Sequence, residues 1–154
     1  MLEKCCPVFD SKPWHDVLFK WEDKRFIKGE VKTFFYIPFG FGKTMTKLVA
    51  EAEKFDAKTE AMISLSNHLS KWKMELLLEV SKEIPTMENV ILRGNFYSRV
   101  YEGDFKEMGR WMKDFGEVIE QKGYQMKRMF TWYTTCPKCA KEYGKNYTVM
   151  IAEI

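Results

Sequence analysis

Apolar and polar positions fall into a readable order from Val31 onward. The run VKTFFYIPF is dense in β-branched and aromatic residues and predicts a strand, closed by Pro38 and by the Gly40 and Gly42 pair. In KTMTKLVAEAEKF, the apolar residues Met45, Leu48, Val49, Ala52 and Phe55 recur at helical spacing, which predicts a helix with one apolar face entered from a glycine. AMISL and MELLLEV then predict two strands, with the polar stretch SNHLSKWK as their connection and His68 in that turn.

The same order returns in the second half. VILRGNFYSRVY predicts a strand, and Gly103 and Asp104 open a helix in which Asp104 and Glu107 have capping-box spacing. Phe105, Met108, Met112, Phe115 and Ile119 share one face of that helix, Trp111 breaks the stripe and is expected at a rim, and Gly123 ends the helix. MFTWYT and YTVMIAEI supply the last two strands. Gly42 and Gly103 lie 61 residues apart, the offset of a strand–helix–strand–strand unit occurring twice, over about 31–85 and 90–154. Residues 1–30, with Trp14, Phe19, Trp21 and Phe26 spaced irregularly among charges, read as a lead-in packed on the domain 31–154. The expected fold is α+β: tandem units forming antiparallel sheet, both helices on one face and a ligand cleft on the other.

Strand alternation turns this expectation into candidate chemistry. In MELLLEV, Met74, Leu76, Leu78 and Val80 share one face and belong under the helices, which leaves Glu75, Leu77 and Glu79 on the other. A carboxylate on the open face either is solvated or sits in a groove, where it can neutralise a cation or activate water as a general base. Glu75 is the candidate catalytic residue, and Glu79 a candidate ligand contact. Tyr36, Trp72, Tyr97, Trp111, Trp132, Tyr133 and Tyr147 are candidates for an aromatic wall that stacks on a flat or cationic ligand, with core packing as the competing use of each.

Composition narrows the partners. The 154 residues fit one domain, and aromatic residues make up 16%, enough to expect a real core. Lys and Arg number 25 against 22 Asp and Glu, without the like-charge stripe of a nucleic-acid binder. No apolar run approaches the roughly 18 residues that cross a bilayer, and MLEKCCPVFD lacks the apolar core of a secretion signal, so no membrane partner and a cytoplasmic location are expected. The four cysteines come as Cys5 with Cys6 and as Cys136 with Cys139 in CPKC. Three readings stay open: reduced thiols in a loop, a zinc site joining the CPKC pair to an N-terminal cysteine with His15 or His68, and thiol redox work. No other cofactor is expected.

The strand FFYIPF before a glycine, the VYEGDFKEM junction into the second helix and the terminal TVMIAEI strand together resemble the GyrI-like small-molecule-binding family over roughly residues 30–154. That resemblance implies two strand–helix–strand–strand units in a pseudo-twofold pair with a ligand cleft, and KMELLLEV is similar to the family strand that carries an acidic residue near its start, here Glu75. Stand-alone members of this type resemble cyclopropanoid cyclopropyl hydrolases, which open strained electrophilic rings. The chain departs from the pattern in its CCPVFDSKPWHD lead-in, in the CPKC loop, and in a last strand that begins with Tyr147 and Thr148 where many members carry an acid. The expected function is binding of a small amphipathic or cationic molecule in an aromatic cleft. Hydrolysis of a strained or electrophilic molecule by Glu75-activated water is the alternative, and a cysteine-based zinc or redox protein the third reading.

Overall fold

The computed structural model describes residues 10–35, 37–59, 61–134 and 146–154. Tyr36 and all four cysteines, with the calls made on them, lie outside the described residues. The chain divides into two compact units, Trp21–Gly94 and Met1–Lys20 with Asn95–Ile154. Each unit is an antiparallel sheet carrying one long helix, so the α+β class holds.

The continuous unit contains β1 (Val17–Phe34, from Trp21 onward), β2 (Ile37–Phe39), α1 (Phe41–Lys54), β3 (Ser64–Ser70) and β4 (Lys73–Glu79). Its strand order is β2-β1-β4-β3. The helix stripe reads as the spacing predicts: Leu48 and Ala52 are buried, with Met45, Val49 and Phe55 packed beside them. They meet Met74, Leu76, Leu78 and Val80 of the β4 segment and Ile27 and Val31 of β1. Burying a side chain such as Leu48 or Leu76 contributes about 2 kcal/mol. Gly29 lies between Ile27 and Val31 in β1, and a Cβ there would stand 2.7 Å from Thr44 Cγ2. The glycine is what lets α1 approach the strand so closely.

In the second unit β7 (Tyr147–Glu153) is the middle strand, pairing with β5 (Glu88–Glu102, from Asn95 onward) on one side and β6 (Arg128–Tyr133) on the other. A single 3-10 turn, Phe105–Glu107, leads into α2 (Met108–Gln121). Trp111, Phe115 and Ile119 of α2 are buried against Tyr97, Met150 and Ala152 of the sheet.

Four local expectations need correction. Within the expected lead-in 1–30, residues 17–30 form most of β1 instead; Phe26 and Ile27 are consecutive and both fully buried, one on each face, which erases the alternation that marks a strand. β3 starts at Ser64, past Met62 with its left-handed φ of 49°, and runs through the polar SNHLS that reads as a connection. His68 is therefore a strand residue, opposite Met74. At the second helix the inward tryptophan is Trp111 and the outward residue is Met112, reversing the expected stripe. Asp104 accepts the Lys106 N–H at 3.0 Å and so caps the 3-10 turn, and no side chain caps α2 itself. Gly123, with φ 73°, does end α2 in the left-handed conformation suited to a helix terminus.

Candidate functional site

The register of β1 against β4 sets up a row of charges on the face of the continuous unit that points away from α1. Ile27, Gly29 and Val31 stand opposite Leu78, Leu76 and Met74 under the helix, so Phe26, Lys28 and Glu30, with Glu75, Leu77 and Glu79, take the opposite face. Lys28 Nζ lies 3.3 Å from Glu75 Oε1 and 2.8 Å from Glu88 Oε2. Both Lys28 and Glu75 keep 20% of their side-chain surface open. The hydrogen bond to Glu88 raises the Lys28 pKa above its ordinary value, against the effect of burial, and Glu75 adds to it. Lys28 is accordingly a fixed ammonium across the physiological range.

Glu79 is held differently. It is buried, Lys24 pairs with its Oε2, and Thr59 Oγ1 donates to its Oε1 at 2.6 Å. Both carboxylate oxygens are thus engaged, and a buried carboxylate so engaged is stable where it is. Glu75 differs from it in a way that matters chemically. Among the described residues only Lys28 hydrogen-bonds to Glu75, through one oxygen, and a fifth of the Glu75 side-chain surface is open.

A second polar cluster lies in the other unit. Asp16, in the left-handed region at φ 53°, turns the chain into β1. Its Oδ1 accepts from the Tyr97 hydroxyl at 2.7 Å and from Arg99 Nη1 at 2.6 Å. Arg99 Nε reaches Asp114 of α2 at 3.3 Å, and the Tyr101 hydroxyl donates to the same Asp114 oxygen at 2.6 Å. Burial works to raise the Asp16 pKa, but the Tyr97 hydroxyl and the Arg99 guanidinium outweigh it and hold the carboxyl below its usual value. Burial, reinforced by Asp16, pushes Tyr97 up to about 12, and burial with Asp114 pushes Tyr101 up strongly. The carboxylate stays ionised and the phenols stay protonated near neutrality, so Asp16, Tyr97 and Tyr101 offer no group poised for proton transfer.

The histidines add little to this. His15 Nδ1 accepts the Val100 N–H at 3.2 Å, which places its neutral-form proton on Nε2, 3.3 Å from Asp16. His68 is lowered by burial and is neutral at pH 7.

The aromatic candidates separate by location. Tyr97 and Trp111 pack beneath α2, Tyr97 stacked on Phe115 and Trp111 on Tyr101. Trp132 is buried on the other face of that sheet, edge-on to Trp14 at 5.2 Å. Tyr147 is part-buried and shares the Trp132 face, whereas Tyr133 shares the α2 face and burial raises its pKa. Trp72 is in the continuous unit, 53% exposed, at the turn between β3 and β4. Each unit, taken by itself, leaves these rings in different surroundings.

Lys24, Lys28, Thr59, Asp16, Arg99 and Asp114 were not singled out from sequence. A signal for two of them existed: lysines four apart in one strand and glutamates four apart in its antiparallel neighbour share a face when the register allows. Among the described residues no group of three or more His, Cys, Asp or Glu side chains could hold a metal ion, and no helix is long and apolar enough to cross a membrane.

A family model described as bacterial hydrolase matches residues 2–154. Two solved structures from Listeria innocua are similar in fold, each at 12% identity. One is an uncharacterized conserved protein, with a TM-score of 0.63 over 90% of this chain and 91% of that one. The other is a hydrolase, with a TM-score of 0.62 over 90% of each chain. No curated protein sequence matches the chain.

Proposed function

The chain belongs to the bacterial hydrolase family, and from that premise we propose that it hydrolyses a small electrophilic molecule with water activated by Glu75. The observation that carries the reading is the contrast between the two glutamates on one sheet face. Glu79 is closed off by Lys24 and Thr59, while Glu75 is one-fifth exposed and leaves an oxygen for water.

The chemistry follows from the pair. A Glu75 oxygen takes a proton from water as the water oxygen bonds to the electrophilic carbon, and the bond from that carbon to its leaving group breaks. Lys28 remains an ammonium throughout and stabilises the negative charge that develops on the leaving group or on an adjacent carbonyl oxygen. The proton held by Glu75 then passes to the leaving group, so the enzyme returns to its starting state. The expected acidic floor for a cationic ligand fits less well, because Lys24 and Lys28 already neutralise the two glutamates. A neutral or electron-poor substrate suits this face better. The narrower GyrI-like resemblance, with ring-opening of strained molecules, is one substrate class within this proposal.

The test is Glu75→Gln assayed on a panel of activated aryl esters and strained-ring electrophiles. Loss of at least about a hundredfold in kcat/KM with an unchanged melting temperature is expected for removal of a general base. Full activity in Glu75→Gln, on a substrate the wild type turns over, overturns the assignment.

A further inference from the structure

The continuous unit carries an apolar cluster that its core does not absorb. Phe34 at the end of β1, Phe35 in the turn just after it and Trp72 in the β3–β4 turn are 52%, 53% and 53% exposed. Their rings touch one another, at centroid distances of 4.8 Å for the two phenylalanines, 5.6 Å for Phe34 with Trp72 and 5.1 Å for Phe35 with Trp72. Leu69, half exposed, lies on β3 just before the same turn. The two chain segments are fixed side by side: the Thr33 N–H donates to the Trp72 carbonyl at 2.9 Å, and the Thr33 hydroxyl donates to the Lys71 carbonyl at 2.7 Å. All three rings lie beyond the last β1–β4 ladder pair, Lys32 opposite Lys73.

Among the described residues, Lys32, Lys71 and Lys73 outnumber the one carboxylate beside them, Glu30. Lys71 Nζ sits 5.7 Å from the centre of the Phe35 ring. Lys32 and Lys73 stand directly opposite each other on neighbouring strands, an arrangement unfavourable in water. Among the described residues, Lys73 pairs with Glu30 at 3.0 Å, and no ion pair is formed by Lys32 or Lys71. Phe35 also holds a left-handed backbone at φ 46°, which a bulky side chain adopts only under constraint. Exposed rings are thus gathered at a tip beside Lys71, with Lys32 and Lys73 on the adjoining ladder pair.

We infer that this tip docks on an anionic bilayer surface, with Phe34, Phe35 and Trp72 entering the headgroup layer and Lys71, Lys32 and Lys73 meeting lipid phosphates. Tryptophan favours the membrane interface because its apolar ring carries a polar N–H, phenylalanine adds apolar area that enters the headgroup layer, and lysines add attraction to anionic lipid. Charge complementarity selects this occupant over a second copy of the chain, whose own tip carries the same positive charge. No spanning segment is involved, so the inference is compatible with the lack of one among the described residues.

The test is co-sedimentation of the full chain with vesicles of phosphatidylcholine alone and of phosphatidylcholine containing a quarter phosphatidylglycerol. Binding is expected to the anionic vesicles only and to fall with added salt. Phe35→Ser with Trp72→Ser, and separately Lys71→Glu with Lys32→Glu, should each weaken it by about tenfold or more, with melting temperatures unchanged because these positions are exposed. Glu75→Gln should bind as wild type, which separates this inference from the hydrolytic one. It is overturned by absence of binding to anionic vesicles, by equal binding to neutral ones, or by variants that bind as wild type. It is equally overturned if sedimentation velocity shows a dimer that the serine substitutions abolish while vesicles are ignored.

Discussion

The Tyr97 hydroxyl donates a 2.7 Å hydrogen bond to the Asp16 carboxylate, joining β5 to the turn that precedes β1. The same carboxylate oxygen takes Arg99 at 2.6 Å. Two donors on one oxygen favour the ionised form, and this gives the bond a pH signature.

Asp16 has a lowered pKa in the folded protein, so its contribution is present above its unfolded value of about 3.8 and is lost as pH falls through the lower folded value. The side chain is 38% exposed, so solvent screens the gain to about 1 kcal/mol or less. Asp16→Asn is therefore expected to lose that amount in urea unfolding at neutral pH, and the gap to wild type should narrow below the ordinary carboxylate range.

Tyr97 has the opposite sign. Its pKa is raised from 10.0 to about 12, so the stabilisation is whole below about 10 and drains away as pH rises to about 12. Tyr97→Phe should cost about 2 kcal/mol at neutral pH, as expected for a hydrogen bond to a charged group. Its disadvantage should shrink over that alkaline window, and ultraviolet titration should find one tyrosine fewer ionising late.

Lys24 and Glu79 form a pair whose halves are not equivalent. Lys24→Met leaves the buried Glu79 with Thr59 as its remaining partner among the described residues and should destabilise by about 3 kcal/mol. Adding Glu79→Leu to that variant should recover most of the loss, and chemical denaturation of the single and double variants measures both.

At Gly29 the expected effect is steric. Alanine there would bring its Cβ to 2.7 Å from Thr44 Cγ2, forcing that side chain or α1 to shift. Gly29→Ala should cost about 1–3 kcal/mol, and Thr44→Ser in the same chain should restore part of it by removing the obstructing methyl.

Lys28→Met bears on the hydrolytic proposal from its other side. It should lower kcat/KM by about tenfold to a hundredfold through loss of charge stabilisation, while wild-type activity should show no alkaline loss from Lys28 until above its ordinary pKa of 10.5. Initial rates across pH for the two proteins decide it.

Much of this architecture was legible from side-chain period alone. The faces of β4 and the stripe of α1 follow from alternation and helical spacing, since each element buries one side and exposes the other. The reading failed where both sides are buried or where burial falls on small polar residues: Phe26 beside Ile27 in β1, and Ser64 and Ser66 in β3. It also failed at Trp111, because the buried stripe of α2 runs at intervals of four through Trp111, Phe115 and Ile119 and leaves Met112 outside it. The acidic half of the candidate site was visible as Glu75 and Glu79. The basic half was not, because Lys24 and Lys28 acquire their partners only through the register of β1 on β4, which no single strand encodes.

The middle position of β7 has a consequence for synthesis. β5 and β6 leave the ribosome before the strand that must lie between them, so neither can complete its ladder with β7 until residues 147–153 have emerged. By contrast β1, α1, β3 and β4 are all available once residue 79 is out. During translation the sheet edges that wait for β7 stand open to other nascent chains, and that interval is where chaperone dependence should concentrate.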